Sequence, residues 1–477
     1  MTQIQSIGVY VPYYRLKRSD VAEAWHSGPL PGERSVANID EDSLTMGVEA
    51  SLAALEGVDL ESVDAVYFAT TTPPYLVKQS AALLSYVIGL RSEVFTADFS
   101  DSLRAGTSAL ISALDAVDAG RARLALVVAS DCRYSLPAST DESLFGDAAC
   151  ALLVGSGGGG LAVTASRTKA NALIDTWQRP KDRFIQNWED RFAKGEGYQR
   201  ETRAVVKELL AGAGIDPNDV AAYVLSSPDF RSSSAVVKSL KVDPKQKLAD
   251  PLMGTIGNCG AAGALVSLCN AVSKAAPGDR LVVANYGDGC DALVLEAGDD
   301  VGAVCKGPSL QAQTQDKAYV SYMDYLRFRD LIENRLTDIP DGPSSAPTMM
   351  REAKALLGLV AHRCRKCGTM HHPMERVCYN CHTKDDFDEV PLARETGSLF
   401  TYTKDTLFQS PDPPQVMAVV ESVEGCRLYL QMTDRDPDEV KLKMPLRFTF
   451  RRLHEGAGFH NYFWKCRPER AATTGGQ

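Results

Sequence analysis

Histidine is scarce in this 477-residue chain: there are seven, and His26 is the only one before His362. Apart from His26, a histidine general base is excluded from the first three quarters of the sequence. No apolar run reaches the ~18 residues of a membrane span. The start, Met1 to Tyr10, lacks a basic segment followed by an apolar stretch, so it reads as a first strand and not as a secretion signal. Excess positive charge is also missing. Lys and Arg number 51 against 61 Asp and Glu, a formal charge of −10, which disfavours wholesale binding to nucleic acid or anionic membrane. Nor is there a disulfide framework. Of twelve cysteines, four are tightly grouped and eight are scattered singly, at 132, 150, 259, 269, 290, 305, 426 and 466, so the expected compartment is a reducing one, the cytoplasm.

What is present is ordinary for a globular protein long enough for two or three domains, with 44% hydrophobic and 23% charged residues. The first ~300 residues read as an internal duplication. Strand-like runs Val63–Thr71 and Val220–Ser227 are each followed, sixty residues on, by a second run, Arg123–Ser130 and Arg280–Asn285. Each pair then meets an Asp-Ala run, Asp147–Val154 and Asp291–Leu295. Helix-like segments Ser108–Val117 and Gly263–Val272 match at an offset of 155, which sets Leu103 opposite Asn258. Two βαβ-type halves with buried strands predict a duplicated, layered α/β domain. Ser156–Gly160 is a flexible turn whose spacing is no phosphate-binding fingerprint. Trp177–Phe192 is an aromatic and charged insertion between the halves.

Beyond residue 300 the pattern changes. Residues 316–335 read as an amphipathic helix and Pro340–Pro347 as a linker or loop. Cys364, Cys367, Cys378 and Cys381 follow as two CxxC pairs ten residues apart, a spacing that supplies four thiolates to tetrahedral zinc at about 2.3 Å. A closed four-cysteine shell is structural and leaves no position for water, so His371, His372 and His382 read as surface residues. Short β-like runs at Gly397–Thr403, Val416–Val420, Leu428–Gln431 and Leu446–Phe450 predict a small barrel. Residues 441–470 carry eight Lys and Arg against Glu455 and Glu469, a patch able to meet a phosphate-bearing ligand or simply to form a solvated face.

Arg104-Ala-Gly-Thr107, Gly257-Asn258 and Tyr286-Gly-Asp-Gly289 resemble motifs of the thiolase superfamily, in its 3-hydroxy-3-methylglutaryl-CoA synthase branch, over roughly residues 1–300. The cysteine knuckle followed by Gly397–Thr403 resembles the zinc-ribbon/OB-fold proteins that accompany thiolase-type enzymes in acyl-CoA handling. The resemblance implies a thiolase-like domain over 1–305, a helical linker over 306–358, a zinc ribbon over 359–390 and an OB-type barrel over 391–477. It also implies a coenzyme A thioester substrate, bound Zn2+ and a homodimer formed through the thiolase-like domain.

The family's catalytic triad does not carry over. Its cysteine, glutamate and histidine positions fall on Leu103, Thr71 and Ser226, and only the asparagine survives, as Asn258. Leucine cannot be tuned into a nucleophile. Candidates for what remains are Asn258 as oxyanion donor, Ser102 as a hydroxyl nucleophile with Asp98 or Asp101 as base, and Tyr75, Asp288 and Tyr286 for acid–base work. Each has a structural alternative as cap, turn or packing residue. Cys259, next to Asn258, is better placed than Cys132 or Cys290, although a small buried cysteine is the default for all three. Arg451 and Arg452 are candidates for CoA phosphates. Three functions follow: an enzyme making or breaking an acyl-CoA carbon–carbon bond without an acyl-cysteine, a non-catalytic scaffold that guides CoA to a separate cysteine-bearing thiolase, or a nucleic-acid binder through the barrel. Net acidity argues against the third.

Overall fold

The computed structural model describes residues 2–28, 30–332, 344–408, 410 and 412–469. It divides into two compact units: Met1–Ala37, Asp42–Ser85 and Leu90–Tyr322 form the first; Asn38–Glu41, Tyr86–Gly89 and Met323–Gln477 form the second. Among the described residues no helix is long and apolar enough to cross a membrane.

The near-continuous apolar runs of the first unit become strands of one sheet. They are β1 (Thr2–Tyr10), β2 (Val63–Ala69), β3 (Phe95–Phe99), β4 (Leu124–Asp131), β5 (Ala148–Ser156), β6 (Leu161–Ala170), β7 (Ala222–Leu225), β8 (Arg280–Tyr286), β9 (Gly289–Ala297) and the short β10 (Cys305–Lys306). Their order is β7-β8-β9-β6-β1-β5-β4-β2-β3, with β10 paired to β1. β2 runs parallel to β3 and β4, and β7 parallel to β8, while β4–β5 and β8–β9 are antiparallel. The two halves thus repeat the same pairing.

The helices that matter are α1 (Ser43–Ala54), α2 (Ala105–Asp118), α3 (Arg200–Ala213), α4 (Phe230–Ser239) and α5 (Gly263–Val272). α1 starts in a capping box, Asp42 accepting from the Thr45 N–H while Thr45 Oγ1 accepts from the Asp42 N–H at 2.9 Å each. α2 and α5 touch and form a central layer, α2 on β2, β4 and β5, α5 on β7 and β8. α1 covers β1, β4 and β5, and α3 covers β6, β8 and β9, which completes a layered α/β fold with apolar clusters at the central layer and beneath α3. The sequence offset survives in detail: the 3-10 turn Gly260–Ala262 that leads into α5 begins 155 residues after Ala105, where α2 begins.

This unit runs past residue 305. Cys305 and Lys306 pair with Ile7 and Gly8, and Ala318 and Tyr319 pair with Tyr14 and Arg15. The helix expected over 316–335 is confined to Tyr322–Phe328 where described; residues 333–335 lie outside the described residues. Of the expected linker, 340–343 lie outside them too, and Pro347 sits in the first turn of a helix over Ala346–Arg351, where its missing N–H costs nothing.

In the second unit β11 (Val360–Cys364), β12 (Met370–His371) and β13 (Phe387–Pro391) form a three-stranded ribbon. β14 (Thr396–Asp405), β15 (Gln415–Ser422), β16 (Arg427–Met432), β17 (Pro445–Gly456) and β18 (Phe459–Pro468) close a five-stranded barrel in the order β14-β15-β16-β18-β17. Its interior follows strand alternation, with Val416, Ala418 and Val420 and then Leu428, Leu430 and Met432 turned inward. β18 is the strand that the basic stretch concealed.

Candidate active site and candidate metal centre

Parallel strands bring their carboxyl ends to one edge, and helix starts follow them there. In the first unit the ends of β2, β4, β7 and β8 converge with the turns that precede α2 and α5. Asn258 is fixed by its backbone, its N–H donating to Leu144 O at 2.7 Å and its carbonyl accepting from Gly146 N at 3.0 Å. Its side-chain Oδ1 accepts from Gly260 N at 3.0 Å, and Nδ2 makes only a long 3.5 Å contact with Ser227 O. The amide donor is thus held with capacity to spare. Leu103 precedes α2, and its carbonyl accepts from Asn285 Nδ2 at 3.3 Å. A side chain at Gly287 would meet the Leu103 and Arg104 amide nitrogens at 2.9 and 2.8 Å, so only glycine lets the β8–β9 turn close over this helix start.

Asp131, at the end of β4, ties the loop after β2 to the turn before α5. It is fully buried. Oδ1 accepts from Thr70 Oγ1, Thr71 N and Thr72 Oγ1 at 2.9, 2.7 and 3.2 Å; Oδ2 accepts from Thr71 Oγ1 and Ala261 N at 2.8 and 2.7 Å. Burial pushes this carboxyl upward, and the donors and Arg133 oppose it. Gly260, at φ +54°, is required here: a Cβ would lie 2.1 Å from Asp131 Oδ2. Arg133 is 3% exposed and stacks on the Phe145 ring at 3.9 Å; burial lowers its pKa, and Asp131 and Asp141 supply counter-charge. Sequence reasoning passed over Asp131 and Arg133, although an Asp-Cys-Arg triplet directly after an apolar strand was a usable signal.

At the end of β8 stands a tyrosine–aspartate pair, packed on the side of the sheet that α3 covers. Tyr286 Oη donates to Asp175 Oδ2 at 2.6 Å, and burial, followed by this bond to a carboxylate, raises the phenol. Tyr286 N donates to Ser226 Oγ at 3.0 Å, and Tyr198 meets the Tyr286 ring edge-on at 5.8 Å. Asp175 directly precedes the hairpin of Thr176–Trp177 with Gln186–Asn187, after which the chain enters the π turn Ala193–Gln199 ahead of α3. Nothing in the sequence marked Asp175.

The remaining candidates fare unequally. Ser102 Oγ accepts from Arg104 N at 3.4 Å, a serine turn just ahead of α2. Asp98, its supposed base, instead accepts from Ser80 N and Ala81 N at 2.6 and 2.8 Å. Asp101 is exposed at φ +72°. Tyr75 is half-buried in the loop after β2. Asp288 is an exposed turn residue at φ +49°, and its carbonyl accepts from Asn171 N at 3.0 Å. Thr71 spends both its N–H and its hydroxyl on Asp131. Cys259 is 2% exposed and burial pushes its thiol up; Cys290 is likewise pushed to about 12. Neither is poised as a thiolate.

In the second unit the four knuckle sulfurs lie within 4.8 Å of one another, with Cys364–Cys381 and Cys367–Cys378 at 3.5 Å. Bonds of about 2.3 Å to a tetrahedral metal require sulfur–sulfur edges of roughly 3.8 Å, so the group fits one ion. His371 is buried, not surface: it packs edge-on against Tyr379 and Phe387. Arg451 also departs from expectation. It is wholly buried and paired with Glu41 at 2.6 Å, Asp434 at 2.6 Å and Asp40 at 3.2 Å, so its charge is consumed inside the unit and cannot receive a CoA phosphate. Arg452 donates to Ile39 O at 2.8 Å and lies 3.5 Å from Glu455.

Comparison with known proteins bears on this arrangement. Residues 210–296 match the model of the 3-oxoacyl-[acyl-carrier-protein] synthase III C terminal, and residues 389–451 that of the ChsH2 C-terminal OB-fold domain. Among solved structures, an HMG-CoA synthase complexed with CoA superposes with a TM-score of 0.65 at 18% identity, over 72% of this chain and 94% of that one. The 3-oxoacyl-(acyl carrier protein) synthase III of Pseudomonas aeruginosa PAO1 gives 0.57 at 20%, over 62% and 98%. These likenesses establish a thiolase-like fold followed by an OB-fold barrel. The hydroxymethylglutaryl-CoA synthase of Thermococcus gammatolerans is 28% identical over 68% of this chain and 95% of its own length. That of Pyrobaculum neutrophilum is 30% identical over 347 residues, 69% of this chain and 97% of its own, and with a relative matched along nearly its whole length the chain belongs to the hydroxymethylglutaryl-CoA synthase family.

Proposed function

We propose that this chain makes or breaks a carbon–carbon bond in an acyl-CoA thioester without passing through an acyl-cysteine. The observation that carries the reading is Leu103 at the start of α2 while Asn258 keeps a held, underused amide donor before α5. Asn258 Nδ2 donates to the thioester carbonyl and stabilises the enolate oxygen. Tyr286 and Asp175 form the acid–base pair. In the cleavage direction the 3-hydroxyl proton passes to this pair and the C2–C3 electrons move into the thioester enolate. The pair then reprotonates C2, giving a carbonyl product and a shorter acyl-CoA.

Zinc, held by Cys364, Cys367, Cys378 and Cys381, stabilises the ribbon and takes no part in the reaction. A homodimer through the first unit belongs to the same proposal, with edge strand β3 the natural seam. A second reading, a CoA-guiding subunit for a separate cysteine-bearing thiolase, is favoured by Leu103 and by the buried thiols of Cys259 and Cys290.

The test is mass-spectrometric product analysis of the purified chain with 3-oxoacyl- and 3-hydroxyacyl-CoAs, with and without free CoA. Turnover by the chain alone, lost in Asn258→Ala, supports the enzyme. Intact substrates until a cysteine-bearing thiolase is added support the subunit.

A further inference from the structure

Two thiols unused by the proposed chemistry touch each other. Cys269 lies in the last turn of α5 and Cys305 on β10, and their Sγ atoms are 3.5 Å apart. Cys305 Sγ also approaches the Cys269 carbonyl at 3.7 Å. Both cysteines are free. Their exposures differ: Cys269 is 3% exposed, whereas Cys305 is half-buried and offers the way in from solvent.

We propose that Cys269 and Cys305 are a site of oxidative cross-linking, forming an intramolecular disulfide when the chain meets a peroxide. Cys305 thiolate attacks the peroxide, forming an S–O bond as the O–O bond breaks and the departing oxygen leaves as water. Cys269 then attacks the resulting sulfenic acid; the S–S bond forms, the S–O bond breaks and a second water leaves. The two sulfurs together lose two electrons, which the peroxide takes up. The sulfurs must close from 3.5 Å to about 2.05 Å, within reach of small side-chain rotations. The hydrogen bond from Cys269 lowers Cys305 toward the thiolate and raises Cys269, which fits attacker and resolver respectively. Cys150, wholly buried on β5, is the neighbouring sulfur and the competing partner.

The product pins the last turn of α5, the helix entered from the Asn258–Ala262 turn, to a strand that pairs with Ile7 and Gly8 in the middle of the sheet.

The test is non-reducing peptide mapping of the full chain after graded hydrogen peroxide, with free thiols alkylated. The expected result is a Cys269–Cys305 linked peptide, two hydrogens lighter than the separate peptides, with both thiols lost one for one. In Cys269→Ser, a near-isosteric change, Cys305 should instead advance to sulfinic acid. In Cys150→Ser the link should persist. Oxidation of Cys305 with Cys269 still fully alkylatable, or a Cys150–Cys305 link in its place, overturns the proposal.

Discussion

Asp131 accepts the backbone N–H of Ala261 at 2.7 Å, so one carboxylate at the end of β4 fixes the turn that carries Asn258 into α5. The same carboxylate holds the Thr71 N–H with its other oxygen, also at 2.7 Å. In Asp131→Asn, whichever oxygen becomes the amide nitrogen, a backbone N–H is left facing another donor and cannot rotate away. Each such mismatch costs about 1–3 kcal/mol. Urea unfolding should therefore give a lower midpoint for the variant at an unchanged slope. An unshifted midpoint would mean that Asp131 is incidental to this turn.

Which features could be read in advance follows from how local they are. The 2-10-2 cysteine spacing and the 155-residue repeat are properties of the chain itself, so the four-cysteine cluster and the duplicated fold were legible. The repeat set Leu103 opposite Asn258, and the family resemblance gave the two positions their meaning. Asp131 and Asp175 matter because strands distant in sequence end beside them, and Arg451 is a buried cation only because Asp40, Glu41 and Asp434 surround it. Composition placed Arg451 in a basic patch and made it a candidate for CoA phosphates. β18 was hidden in that same patch because Lys465 and Arg467 alternate with its buried Tyr462, Trp464 and Cys466 and set its apparent character.

The second unit should weaken in acid. Burial works against ionisation of Asp40, but Lys465 at 2.9 Å and then Arg451 outweigh it and hold the carboxyl at about 2, below the ordinary 3.8. A depressed carboxylate contributes stability that is present above its unfolded value and lost as pH falls through the folded one. The loss should thus develop between about pH 4 and pH 2 and amount to roughly 2 kcal/mol. Hydrogen exchange of the barrel amides across that range reads it directly. Asp40→Asn should lower protection at pH 6 and flatten the acid dependence; an equally steep profile would assign the acid loss to other carboxylates.

The ribbon should depend on its metal. Zinc bound by the four cysteines, as proposed, adds its binding free energy to the folding of the ribbon. A strong chelator should release about one zinc per chain and raise amide exchange over β11, β12 and β13, with the sheet of the first unit unchanged. Cys378→Ser should lower bound zinc to below half an equivalent. Retention of protection after complete metal removal would make the ribbon self-supporting.

Tyr286→Phe separates chemistry from packing. The ring keeps its edge-on contact with Tyr198 and the backbone keeps its bond to Ser226, so only the hydroxyl and its 2.6 Å bond to Asp175 are lost. Loss of one such bond costs about 1–2 kcal/mol of stability. General acid–base catalysis is worth roughly 10²–10⁴ in rate. On the proposed reaction kcat should therefore fall at least a hundredfold while KM stays within a few-fold and the thermal midpoint drops only modestly. A fall in kcat of less than threefold would leave Tyr286 a packing residue and move the acid–base role to another group at the convergence.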